Sequence, residues 1–351
     1  MNPLVRLRPG PSPGHHQRPR QARAAHCGRW CWLGLAAALL LAATAGPTAA
    51  SADRYAEAVR AQEVGRFDAA RALAEPLARR GDVRAQRLMG ILYDLGQGVK
   101  QDYQEARRWY RLAADQGDAS AQRRMAVLFD LGQGVPQDRA EARRWYLLAA
   151  AQGDAPAQAR LGALYRLGLG GERDYAEAMR WYRLAAEQGD PAAQVDTGFM
   201  YDQGLGVTAD PAEALKWYQR AADAKDPNGL YNVGLAYARG RGVARNDSLA
   251  LIWYQRAAEL GHAGAGNNLG TLYERGLGTM KDVAVAYMWY SLASWRLPLA
   301  DNQDRLRAIR NRDELGHKMS ALGIATARQM AREWRPGTSF PPATTAPPPG
   351  E

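Results

Sequence analysis

An aspartate and a glutamate three residues apart recur along this 351-residue chain: Asp102 with Glu105, Asp138 with Glu141, Asp174 with Glu177, and Asp210 with Glu213. Paired carboxylates can do acid–base chemistry, one giving a proton while the other takes one. Just before a helical pattern the same pair is a capping box with Asp at the N-cap, and its fixed place at helix starts favours capping. Glycine pairs such as Gly96-x-Gly98 invite a phosphate-binding reading. They join helix to helix, however, without the preceding strand or the remaining pattern that a phosphate loop needs. Beyond residue 52 the histidines are His262 and His317, and neither has companions at metal-ligand spacing. His262 stands where other repeats carry an aspartate, which points to a helix boundary. Cys27 and Cys31 both fall within the first 52 residues, so the rest of the chain has no thiol chemistry, disulfide or Cys-ligated metal. No serine sits in a G-x-S-x-G context. The sequence offers no catalytic residue, no metal site and no cofactor, and the expectation is a protein that is not an enzyme.

The elements that place these residues are repeats. Trp-Tyr stands at 109–110, 145–146, 181–182, 217–218, 253–254 and 289–290, always 36 residues apart. On that period six units begin at Val83, Ala119, Ala155, Pro191, Pro227 and Ala263. Each unit predicts two helices. The second has Ala106, Trp109, Tyr110, Ala113 and Ala114 on one face, so the aromatic pairs read as core. A glycan- or base-stacking role for them requires several of the tryptophans to be exposed. Gly117 supplies the left-handed residue that ends this helix, and Asp118 caps the next. Pro191 and Pro227 follow capping aspartates at the first helical position, where proline is welcome. The first helix places Ala85, Met89, Leu92 and Tyr93 on one face. It also carries Gly90, repeated at 162, 198, 234 and 270. A mid-helix glycine costs about 1 kcal/mol relative to Ala, which makes sense where a neighbouring helix passes too closely for a Cβ.

A helix–loop–helix of this length with L-G-x-L-Y, G-x-G-V, D-x-x-E-A and W-Y-x-x-A-A-x-x-G-D resembles the Sel-one-like repeat (SLR) family, relatives of tetratricopeptide repeats. The resemblance covers residues 83–298 and implies an all-α fold, a right-handed α/α superhelix in which stacked units share a continuous core. Residues 53–82 read as a degenerate first repeat with a tight turn. After Ala263 the last unit departs, with "WRLP" in place of Gly-Asp. Residues 299–334 resemble closing helices, and 335–351 are Pro/Thr-rich and expected to be disordered.

The net charge of +10 is unevenly placed. Residues 1–52 hold six arginines and no acidic residue; taking those six from 46 leaves 40 basic against 36 acidic side chains, a net of +4. These charges are interspersed, as on solvated helix faces, so nucleic acid is not an expected partner. The basic stretch to Arg29, the apolar run "WCWLGLAAALLLAATA" and the small residues Ala50 and Ala52 read as a signal peptide cleaved after Ala52. That predicts a periplasmic or secreted protein, with the membrane involved only if residues 31–45 stay as an anchor.

With chemistry set aside, function is expected on the surface that stacking leaves. The resemblance implies a concave face lined by first helices, and an activity of holding a protein or peptide partner. With core at unit positions 3, 7, 10 and 11, the opposite side shows positions 2, 5 and 6. These carry Arg84, Arg87, Arg123, Arg124 and Arg160, then Asp196, then Asn228, Tyr231, Asn232, Asn267 and Asn268. An asparagine offers donor and acceptor to a peptide backbone, while the arginines suit acidic side chains or a carboxylate. Position 9, from Ile91 to Thr271, supplies a mostly apolar floor. Two other classes stay open: an envelope glycan or muropeptide binder or hydrolase, and a membrane-tethered structural protein. Relatives linked to cell-wall fragments carry a disulfide in each repeat, which this chain lacks.

Overall fold

The computed structural model describes residues 49–296 and 302–335. The chain divides into two units, 1–52 and 53–351, and the second holds nearly all of the described residues. Helices α1 (Ala49–Glu63) and α2 (Phe67–Arg79) form a hairpin with a tight turn, α1 running through the expected cleavage point after Ala52. Six pairs follow: α3 (Val83–Leu95) and α4 (Tyr103–Asp115), α5 (Ala119–Leu131) and α6 (Arg139–Ala151), α7 (Ala155–Leu167) and α8 (Tyr175–Glu187). The other three are α9 (Pro191–Gln203) and α10 (Pro211–Asp223), α11 (Pro227–Arg239) and α12 (Asp247–Glu259), α13 (Ala263–Arg275) and α14 (Val283–Arg296). Two helices close the described chain, α15 (Asn302–Gly316) and α16 (Ala321–Glu333). No strand occurs among the described residues, and consecutive helices pack on one another from α2 to α15. The molecule is an α-solenoid.

Caps fix where each helix begins. Asp82, Asp118, Asp154 and Asp190 each accept an amide at the third residue of the first helix of their unit. Each of those helices ends at a left-handed glycine, such as Gly96 at φ 68°, where only glycine avoids a Cβ penalty. On the second helices Asp102, Asp138, Asp174 and Asp210 each accept two amides. Only half of the expected capping box forms. The amide of Asp102 donates to the carbonyl of Tyr93 (3.0 Å), and Asp138 to Phe129 (2.9 Å), so no donor remains for the glutamate. Glu141 and Glu177 instead accept from the indoles of Trp145 (2.9 Å) and Trp181 (3.0 Å). Glu105 and Glu213 pair with Arg108 and Lys216 instead, so the carboxylate pairs are taken up in helix starts, in two tryptophan contacts and in local ion pairs.

The six repeat tyrosines, Tyr110 to Tyr290, are all buried, as are Trp145, Trp181, Trp217 and Trp289, while Trp109 and Trp253 are half-buried. A Cβ added at Gly234 would lie 2.7 Å from the Tyr254 ring, and one at Gly198 2.7 Å from Tyr218. In the five units that carry it, the mid-helix glycine therefore lets the tyrosine ring lie close against the first helix. At the end of the array Trp334 meets Trp289 edge-on, with centroids 5.6 Å apart, and α16 packs against α14.

The expected basic leader and apolar run, Leu297-Pro298 of "WRLP", and the Pro/Thr-rich tail from residue 336 lie outside the described residues. Among the described residues no helix is long and apolar enough to cross a membrane.

Candidate functional site

Stacking brings three positions together at each repeat boundary: the second-helix tyrosine, residue 12 of the same unit, and residue 6 of the next. At the first boundary the Tyr110 hydroxyl donates to Asp94 (3.0 Å), and Arg124 reaches the same carboxylate at 3.7 Å. At the second, Arg160 binds Asp130 through Nη2 (2.6 Å) and Nε (2.9 Å), with Arg139 3.6 Å away on the other side. Burial, together with the Asp130 carboxylate, pushes the Tyr146 hydroxyl up to about 12. The third boundary reverses the signs. Arg166 occupies the aspartate's place and donates to the Tyr182 hydroxyl (3.2 Å), and Asp196 occupies the arginine's. Burial raises the Asp196 carboxyl, against the pull of Arg166. At the fifth, Asn268 contacts the hydroxyls of Tyr231 and Tyr254. In the sixth unit Tyr290 donates to Glu274 (2.8 Å).

In three of the units residue 5 of the first helix turns toward the next unit's N-cap rather than outward. Arg87 pairs with Asp118 (2.5 Å) and Arg123 with Asp154 (3.0 Å). Tyr231 stacks on His262 with centroids 4.3 Å apart. Asn267, expected on the open face, is buried and accepts from Asn311 of α15 at 3.0 Å. Arg84 pairs with Asp82 (3.1 Å) and lies over the Tyr55 ring. The arginine half is therefore not a row of open cations: Arg84, Arg87, Arg123, Arg124 and Arg160 each hold an aspartate of this chain. The reason lies in the stacking, because the staggered units point position 5 across the seam and position 6 onto the tyrosine below. Of the asparagines, Asn228 is exposed and Asn232 half-buried.

The fourth boundary differs from the others. Position 6 is Asn232 and position 12 is Asp202, whose carboxylate is met from the loop by Arg241 (3.1 Å). A cavity of about 220 Å³ opens there, lined by Phe199, Asp202, Tyr218, Asn232, Arg239 and Arg241 among others. Phe199, at 38% exposure, is the position-9 residue most open to solvent. Sequence reading singled out Asn232 but missed Arg239 and Arg241. They lie at the end of α11 and in the loop after it, beyond the positions that helical periodicity ranks. The tyrosine hydroxyls were hidden in another way, since an aromatic at helical spacing signals core and says nothing of where its hydroxyl emerges. Among the described residues no group of three or more His, Cys, Asp or Glu side chains is placed to hold a metal ion.

The family model of the Sel1 repeat matches residues 83–118, 119–154, 155–190, 191–226, 227–262 and 265–294. Among solved structures, the chain is similar to a Sel1 repeat protein from Oxalobacter formigenes, at 33% identity over 71% of this chain and 99% of that one, with a TM-score of 0.64. It also matches c5321, a protective antigen of uropathogenic Escherichia coli with an SLR fold, at 25% identity over 80% of this chain and 83% of that one (TM-score 0.44). A putative Sel1 repeat protein from Klebsiella pneumoniae matches at 22% identity over 60% of this chain and 99% of that one (TM-score 0.39). No curated protein matches the chain. Six matched repeats in register, covering more than half of the sequence, mean that this chain belongs to the Sel1 repeat family.

Proposed function

We propose that the protein is an exported, non-enzymatic scaffold that holds a peptide or protein partner on the face formed by its first helices. Sel1 repeats generally mediate protein–protein interaction, and proteins built from them are generally non-enzymatic scaffolds. One observation carries the reading for this chain. The aromatic and carboxylate pairs are used up in core and caps, whereas polar and apolar side chains of successive first helices, such as Phe199 of α9 with Asn232 and Leu235 of α11, remain open to a ligand. Burial of the tryptophans supports a protein partner over stacking of sugar rings. Export, to the periplasm or beyond it, rests on the leader of residues 1–52.

The test is a paired capture from cell-envelope extract with the wild-type chain and a Phe199→Ala/Asn232→Ala variant, both checked by circular dichroism. A protein retained by the first and lost by the second supports the reading. Identical retention by both places the contact elsewhere, and retention of no protein by either counts against a scaffold. N-terminal sequencing of the native protein tests cleavage after Ala52.

A further inference from the structure

At five of the six ladder positions the tyrosine hydroxyl finds a partner within the protein: Asp94, Arg160, Arg166, Asn268 and Glu274 serve Tyr110, Tyr146, Tyr182, Tyr254 and Tyr290. Tyr218 is the exception. Neither its hydroxyl nor the Asn232 side chain makes a hydrogen bond to any described residue, and Arg239 pairs with no carboxylate among them. All three line the same cavity of about 220 Å³. The one acidic side chain there, Asp202, is already held by Arg241, which also donates to its backbone carbonyl at 2.8 Å. With that pair neutral, Arg239 leaves the cavity one positive charge in excess. Hydroxyl, amide and guanidinium can all donate, and a carboxylate can accept from each.

A second irregularity falls at the same boundary. Where earlier units end in Gln-Gly, as at Gln188-Gly189, this one has Ala224-Lys225, and Lys225 is the non-glycine residue found at positive φ (61°) among the described residues. The buried Gln194 carbonyl oxygen, whose counterparts accept from that glutamine, has no partner. The two irregularities coincide at one joint, and a joint at which the array breaks its local rules twice is most readily understood if it serves function.

Building on the scaffold reading, we infer that the cavity between the fourth and fifth repeats receives an acidic side chain, glutamate or aspartate, of the bound peptide. The carboxylate gives the Tyr218 hydroxyl the hydrogen-bond partner that Arg160 or Asn268 supplies at other boundaries, and lies between it, Asn232 and Arg239. Phe199, open on the rim, contacts the neighbouring residue of the peptide. At about 220 Å³ the cavity has room for one such side chain with water left beside it.

The probe is a random dodecapeptide library displayed through its C-terminal end, so that the only carboxylates it offers are on side chains. It is selected on the full-length chain. The expected result is a shared Glu or Asp in the selected sequences. Changing that residue to its amide in a synthetic, C-terminally amidated peptide weakens binding tenfold or more, as loss of a charged hydrogen bond does. Arg239→Gln reproduces the loss, and Tyr218→Phe gives a smaller one. Arg239 is exposed and without a partner, so its variant keeps the fold, and Asn232→Leu provides a second arm. Selected peptides with no acidic residue in common overturn the inference, as do an Arg239→Gln protein that binds as wild type does and a library that yields no binder. If the envelope capture still retains a protein through Phe199 and Asn232, the scaffold reading survives such a result and the acidic specificity alone is lost.

Discussion

Arg160 grips Asp130 across a repeat boundary, with Nη2 and Nε 2.6 and 2.9 Å from one carboxylate oxygen. Asp130 is only 2% exposed, while Arg160 is about half open to solvent. Removing the arginine leaves a buried carboxylate with the more distant Arg139, so Arg160→Ala is expected to destabilise by about 1–3 kcal/mol. The natural reversal at the next boundary, Arg166 with Asp196, predicts more. An Asp130→Arg/Arg160→Asp double variant should recover at least half of what Arg160→Asp loses. Urea midpoints of the wild type, Asp130→Arg, Arg160→Asp and the double variant test this; a double variant as unstable as the worse single one would show that the pair is not interchangeable.

Gly234 lies against the face of Tyr254, and the Cβ of an alanine there would sit 2.7 Å from the ring and 3.3 Å from Trp253 Cβ. Propensity alone favours Gly234→Ala by about 1 kcal/mol, yet overpacking costs about 1–3 kcal/mol. The expected outcome is a net loss, seen as a lower thermal midpoint. A rise would mean that Tyr254 shifts freely, as the second repeat, with Ala126 at the same position, shows the architecture can accommodate.

How much of this was legible in the sequence follows from which forces fixed it. Tyr110 and its counterparts revealed the fold because a 36-residue period and a helical stripe are properties of one chain read in order. The close approach at Gly234 was readable for the same reason, since glycine inside a helix has a cost that needs a cause. Arg87 and Asn267 were misread as open because periodicity tells which side of one helix faces its partner, not which side the next repeat covers. Asn232 was found without its pocket. Arg239 and Arg241 gather there through loop geometry, and no stripe encodes that.

Ala224 and Lys225 mark a joint that can be repaired. In the three preceding units a glutamine donates to the buried glutamine of the first helix, as Gln188 does to Gln158 at 2.7 Å. Ala224→Gln should give Gln194 that partner and stabilise by about 1 kcal/mol. Lys225→Gly should relieve a left-handed residue worth about 1 kcal/mol, since a Cβ at the equivalent Gly189 meets no atom and strain there is purely conformational. Calorimetry of the double variant should show a higher midpoint than either single change. If neither change stabilises the protein, the irregular joint carries no strain, and the case for a functional break at this boundary weakens with it.

His262 makes the sixth repeat sensitive to acid. Its Nδ1 accepts the Ala265 amide at 3.1 Å as the N-cap of α13, and its ring stacks on Tyr231. Burial holds the imidazole below its ordinary pKa of 6.5, against the opposing pull of Asp304 and Asp226. The unfolded chain therefore takes up a proton that the folded one resists, so folding is favoured in full above about pH 6.5 and loses this contribution as pH falls through the lower folded value. Protonation also removes the lone pair that caps the helix, a loss of about 1 kcal/mol. His262→Asn keeps an N-cap acceptor and cannot titrate. Between pH 7 and pH 5 its unfolding midpoint should fall less than that of the wild type, with amide exchange at Ala265 showing the difference most directly. Equal acid sensitivity in both proteins would assign the pH response to the carboxylates of the array rather than to this joint.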